Sequence, residues 1–185
     1  MRVYVDTGIF IDYLSGRALI GSGLRSAGRR GRSLEQVLRD TEQALDRAAG
    51  LHEVATSVLT YYEVEEALYK SLSPTSVGIA HADAYRVAAA RSIVTQTVIA
   101  VQFFNINVLE LTSETVDAQL RIVELQTRGI RAADALHIAT ASRWNADVVL
   151  STDEAILRLD NVLRNEAGTS MRCYDSDAAL KVLGK

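Results

Sequence analysis

The 185-residue chain has one cysteine, Cys173, and one proline, Pro74. A lone thiol excludes a disulfide within the chain and a thiolate metal cage. Its setting favours a small buried hydrophobe in a strand. One proline and eleven glycines leave little material for long disordered linkers. Excess positive charge is missing too. Twenty Lys and Arg against 23 Asp and Glu give a net charge of -3 and a pI of about 5.6. That excludes a globally basic nucleic-acid binder, though not a local basic patch. There is no long hydrophobic run. The longest apolar stretch, Ile93 to Phe104, is broken by Thr95, Thr97 and Gln102. It falls short of the roughly 20 residues a bilayer requires. The chain reads as a strand from its second residue, so no signal peptide and a cytoplasmic location are expected.

What is present suits one globular domain over residues 1–185, with 48% hydrophobic and 23% charged residues. Strands are predicted at Arg2 to Val5, Glu53 to Ser57, Asn107 to Leu111, Asp147 to Leu150 and Met171 to Tyr174. Helices are predicted between them. Thr7 is the expected cap of one at Ile9 to Leu14, and Ser33 of one running to about Ala49. Another runs from Leu59 to Leu72. Residues 76–104 are helical, as one or two helices. Further helices run from Thr112 or Ser113 to Arg128, from Ala132 to Trp144 and from Glu154 to Leu159. One stretch stands apart, the basic Gly/Ser/Arg-rich insertion at about 15–33, "SGRALIGSGLRSAGRRGRS", which reads as a mobile loop. Strands separated by helices imply parallel pairing through right-handed crossovers. The fold class is therefore α/β, a three-layer α/β/α sandwich on a mostly parallel sheet of about five strands. In such sheets ligands bind at the carboxyl ends of the strands.

Four carboxylates are placed for that edge. Asp6 ends the first strand in "VYVDTGIF". Asp153 follows the fourth in "VVLSTDEAI". Asp134 begins the helix "AADALHIATA", and Glu63 lies early in "TSVLTYYEVEEAL". Each has an ordinary alternative. Asp134 suits a helix N-terminus, Asp153 suits a cap, and Glu63 competes with Glu66. Together they suit a hard divalent cation, Mg²⁺ or Mn²⁺. Without one, four such charges would repel.

The four blocks resemble those of PIN-domain ribonucleases, most of all the single-domain VapC-like toxins of toxin–antitoxin pairs. The resemblance implies metal-dependent endonucleolytic cleavage of RNA by a metal-activated water, leaving a 5′-phosphate and a 3′-hydroxyl. Asp6, Glu63, Asp134 and Asp153 would form the metal site, with Ser151 and Thr7 as supporting hydroxyls. It also implies a homodimer and an antitoxin partner. Two positions depart from the pattern. Gly8 stands where Asn or Ser is common after Asp-Thr, and Ser151-Thr152-Asp153 replaces Thr-Asn-Asp. Arg17, Arg25, Arg29, Arg30 and Arg32 are candidates to attract RNA to an acidic site, Arg29, Arg30 and Arg32 foremost.

Other residues have plainer readings. His137 is expected as a satisfied core or edge histidine, His52 and His81 as surface positions, and Trp144 as packing. One of Tyr61 and Tyr62 suits the core, and Asp12 a surface or supporting charge. Two rival functions stay open: a non-catalytic PIN-like RNA-binding or assembly module, and a phosphatase of small phosphoesters. A nucleophilic-aspartate phosphatase would place a second Asp where Gly8 stands.

Overall fold

The computed structural model describes residues 1–17, 23–73, 78 and 80–184. Five strands, β1 (Arg2–Val5), β2 (Glu53–Ser57), β3 (Asn107–Leu109), β4 (Val148–Leu150) and β5 (Arg172–Tyr174), form one sheet in the order β3-β2-β1-β4-β5. Every pairing is parallel. Successive side chains on a strand face opposite layers, and β1 shows it. Val3 and Val5 join one core cluster, and Tyr4 joins the other.

The first layer holds α1 (Thr7–Arg17), α2 (Leu34–Leu51), α3 (Leu59–Ser71), α4 (Ala82–Phe103) and α9 (Ser176–Ala179). The second holds α5 (Ser113–Arg121), α6 (Val123–Thr127), α7 (Ala132–Arg143) and α8 (Glu154–Leu157). The three-layer sandwich is as expected. From β1 the chain winds outward to β3, then crosses back to β4 on the far side of β1. The order reverses between β1 and β4, and a crevice opens there at the carboxyl edge.

Local differences from the sequence-based expectation have simple causes. β3 ends at Leu109 rather than Leu111, because its ladder partner β2 ends at Ser57, the residue opposite Leu109. The helix expected to reach Arg128 breaks at Ile122, which turns Leu125 into the second core cluster. Gly129 then ends it with a positive φ of 66°. α4 is one helix from residue 82, while residues 76, 77 and 79 lie outside the described ones. Thr7 does not cap α1 but is its first residue, and its hydroxyl is used elsewhere.

The basic insertion is the largest difference. Residues 18–22 lie outside the described ones, but 23–33 have a definite course. Arg30 (φ 52°) and Gly31 (φ 73°) make a tight turn closed by the Arg32 amide on the Arg29 carbonyl at 3.0 Å. Two aspartates with buried side chains hold it, Asp12 on α1 and Asp175 at the start of α9. Arg29 grips Asp175 with Nε at 3.1 Å and Nη2 at 2.6 Å, and reaches Asp12 with Nη1. Arg32 binds Asp175 and Asp40. Among the described residues, no helix is long and apolar enough to cross a membrane.

Candidate active site

The site is built on two hydrogen-bonded strand ends. The Asp6 amide donates to the Leu150 carbonyl at 2.9 Å, which locks the end of β1 to that of β4. Asp6 is 5% exposed. Its Oδ2 accepts from the Ser151 hydroxyl at 2.7 Å, and the same Ser151 oxygen accepts from the Asp153 amide at 3.0 Å. One hydroxyl thus sets the spacing of two acidic residues. Asp153 caps α8, with Oδ1 accepting from the Ala155 amide at 2.6 Å.

Glu63 comes from the second turn of α3. Thr7 Oγ1 donates to its Oε2, and His137 Nε2 meets the same oxygen at 2.7 Å. Thr7 also lies 3.3 Å from Thr60, which contacts Thr56 at 2.8 Å, and Thr56 donates to the Val5 carbonyl at 2.7 Å. This chain of hydroxyls ties the ends of β1 and β2 to the start of α3. His137 Nδ1 lies 2.7 Å from the buried hydroxyl of Tyr4, so the ring is held from both sides. His137 Nε2 also stands 3.7 Å from Asp6 Oδ1.

Electrostatics follow from this crowding. Burial pushes the Asp6 carboxyl up, against the pull of His137 and the Ser151 hydroxyl. Burial would raise Glu63 as well, but its hydrogen bond and charge interaction with His137 and the Thr7 hydroxyl bring it below the usual carboxylate range. For His137, burial favours the neutral ring. The Glu63 hydrogen bond and the charges of Asp6, Glu63 and Asp134 overcome it, so the imidazole is held above its ordinary value. Asp134, in the first turn of α7, is pushed up to about 6 by burial and then by the charges of Asp153, Asp6 and Glu63.

Asp6, Glu63, Asp134 and Asp153 all line one cleft of about 570 Å³, with Thr7, Gly8, Thr152, Glu66, Lys70, Arg25 and Arg29 on its walls. The four acids singled out in the sequence therefore share one cleft, but among the described residues only Asp6 and Glu63 come together with a third ligand, His137, while Asp134 and Asp153 stand further off on its walls. Glu66 stands on the wall paired with Lys70 at 3.0 Å, whereas Glu63 is the acid held at the centre. Ligand atoms of Asp6, Glu63 and His137 lie within 4.8 Å of one another. Two carboxylates and one imidazole at this spacing, with burial and neighbouring acid charges raising Asp6 and Asp134, fit a divalent cation.

Gly8 has a steric reason. A Cβ there would lie 2.1 Å from Thr152 Oγ1, so the side chain absent at 8 makes room for Thr152. Of the basic candidates, Arg29 lines the cleft but is committed to Asp12 and Asp175. Arg30 pairs with Glu154 at 2.6 Å, and Arg32 is turned to Asp175 and Asp40. Arg17 pairs with Glu42, on the side of α1 that faces α2.

One contributor was not foreseen, and another only in part. His137 reads as a core histidine, and it is 1% exposed, but its outer nitrogen serves the cleft. The available signal was its place three residues after Asp134, on the same helix face. Of the two readings open for Asp12, the surface charge fails and the supporting one holds: it is wholly buried under the arginine loop and accepts from Arg25 and Arg29. A lone acid inside the apolar run "GIFIDYL" was the sign.

A sequence model of the PIN domain matches residues 34–162, a span holding Glu63, Asp134 and Asp153 and beginning after Asp6. No curated protein sequence matches the chain. Among solved structures, the chain is similar to one from the VapBC2 complex of Rickettsia felis, determined with a DNA fragment from its promoter. The TM-score is 0.51 at 12% identity, covering 95% of this chain and 100% of that one. At that identity the likeness concerns the fold.

Proposed function

The chain belongs to the PIN domain family, and from that premise we propose that the cleft is the active site of a metal-dependent endoribonuclease, the toxin of a toxin–antitoxin pair. The observation that carries this reading is the convergence of Asp6, Glu63, Asp134 and Asp153 on one cleft where the strand order reverses. Asp6, Asp134 and Asp153 would hold Mg²⁺ or Mn²⁺, with Glu63 direct or through water. Such a cation supplies an electrophile for the phosphodiester and lowers the pKa of bound water.

The chain's own groups set the rest. Ser151 fixes the Asp6 carboxylate, and its acceptance from the Asp153 amide holds the two acids in register. Thr7 and His137 both donate to one oxygen of Glu63, and Tyr4 keeps the imidazole from rotating away. Asp6 sits at the floor, largely shielded from water, where its interaction with a cation is least screened.

The test is cleavage of labelled RNA by the full chain. Cleavage with Mg²⁺ or Mn²⁺, its loss in EDTA, and its loss in Asp6→Asn with unchanged melting are expected. Equal cleavage in EDTA overturns the mechanism. Hydrolysis of a small phosphate ester with no RNA cleavage would favour a phosphatase, and metal-independent RNA binding alone would favour a non-catalytic module. A protein antitoxin is the partner to seek, given the fold shared with a VapBC2 chain. The apolar exposure of Ile99 (51%) and Phe103 (70%) on α4 supports a homodimer, which light scattering tests directly.

A further inference from the structure

A cleft of acids must still hold a polyanion. The insertion places four arginines beside it, and the structure separates their roles by what each guanidinium already touches. Arg29 is only 18% exposed at its side chain, and Nε, Nη1 and Nη2 all meet carboxylates. Arg32 is 13% exposed and bound to Asp175, Asp40 and the Ser176 hydroxyl. Arg30 is 37% exposed at its side chain, but its Nε reaches over to Glu154, its Nη1 stands 3.8 Å from Asp175, and it is not on the cleft wall. These three hold the loop down.

Arg25 differs. Its Nε donates to Asp12 Oδ1 at 2.7 Å, and Nη2 donates to Thr152 Oγ1 at 3.3 Å. Its side chain stays 32% exposed on the cleft wall. Among the described residues Nη1 has no recorded partner. Thr152 directly precedes Asp153, and the missing side chain at Gly8 makes its position possible. Buried Asp12 from below and Thr152 from the side therefore aim one guanidinium at the rim of the acid cluster. A fork with free donors, restrained in place, is the geometry that binds a phosphate well.

We propose that Arg25 binds the RNA backbone, taking a phosphate next to the one that lies over the carboxylates, while Arg29, Arg30 and Arg32 serve to hold the loop that carries it. The inference rests on the ribonuclease reading and adds a substrate contact to it.

The test measures RNA affinity and its salt dependence. A labelled single-stranded RNA is titrated with the full chain in Mn²⁺, in an Asp6→Asn background so that it is not consumed. KM is measured in the parent chain. Arg25→Ala is expected to weaken binding and raise KM about tenfold. It should lower the slope of log affinity against log salt by about 0.7, the value for one lost phosphate contact on a single strand. At saturating RNA kcat should hold, because the loss falls on binding. Arg39→Ala, which removes an equal charge on the exposed face of α2, should change neither.

A folded Arg25→Ala with parental KM and slope overturns the proposal. If the alanine variant melts below the assay temperature, the same readings are taken on Arg25→Gln, whose amide can still donate to Asp12. Parental values there overturn it equally. A parent chain that shows no metal-dependent cleavage fails the ribonuclease reading itself. A parent chain that cleaves, beside an unaffected Arg25 variant, fails this inference alone.

Discussion

Replacing Asp175 with asparagine removes one negative charge from a buried site that faces three arginines. The carboxylate accepts two hydrogen bonds from Arg29, one from Arg32 and one from the Ser176 amide at 2.7 Å, with Arg30 at 3.8 Å. Breaking one side of a buried pair typically costs about 3–5 kcal/mol, because the surviving charge is left uncompensated. Here the cost should lie near the lower end, about 3 kcal/mol. Arg29 keeps Asp12 and Arg32 keeps Asp40. Asparagine can also still accept from the Ser176 amide, so the α9 cap survives. For a chain of this length that is a fall in Tm of about 6–12 °C.

The assay is urea unfolding of parent and variant across pH. The Asp175 carboxyl is buried, which would raise it, but the Arg29 hydrogen bond and charge, the Ser176 amide and Arg32 hold it below its ordinary value. A lowered acid contributes stability above its unfolded pKa of about 3.8, and that contribution is lost as pH falls through the native value. The gap between parent and variant should be full at pH 7 and close below about pH 4. A gap under about 1 kcal/mol at pH 7 would refute the clamp, since that is what an exposed pair such as Arg39–Glu35 is worth.

Two further outcomes are expected. Asp134, pushed up to about 6 in the native chain against 3.8 for its ordinary value, penalises folding above pH 6 and ceases to do so as pH falls toward 4. In EDTA this group should therefore make the chain more stable at pH 5 than at pH 7. Asp134→Asn should add about 2 kcal/mol at pH 7 after solvent screening, while the rise in Tm on adding Mn²⁺ disappears. A metal-free chain stabilised by neither change would contradict the crowding of the four acids. Gly8→Ala and Thr152→Ala should couple by at least about 1 kcal/mol in a double-mutant cycle of urea midpoints, since the new Cβ meets Thr152 Oγ1 at 2.1 Å. Simple additivity would show that Thr152 moves aside freely.

The fold was legible in the sequence because its signals are local and periodic. β1 and β4 are short apolar runs ended by an acid or hydroxyl, helices fill the gaps between strands, and a parallel sheet follows from that alternation. The acids were legible for the same reason: Asp6 and Asp153 lie just past strand ends, Asp134 and Glu63 near helix starts, and a parallel sheet gathers strand ends and helix starts on one edge. What escaped depends on contacts between distant segments. The arginines of residues 23–33 look like a solvated basic flap until Asp12 and Asp175, up to 146 residues away in sequence, are seen beneath them. The partners that decide whether an arginine is free or committed are absent from its own neighbourhood in the chain. His137 escaped likewise, since its role is set by Tyr4, 133 residues earlier, and by Glu63. Gly8 is the most telling case. Taken alone it is a missing polar group, and only its contact with Thr152 turns it into a steric requirement. Substituting either residue alone therefore tests the wrong unit: the unit is the pair, together with the arginine that donates to Thr152.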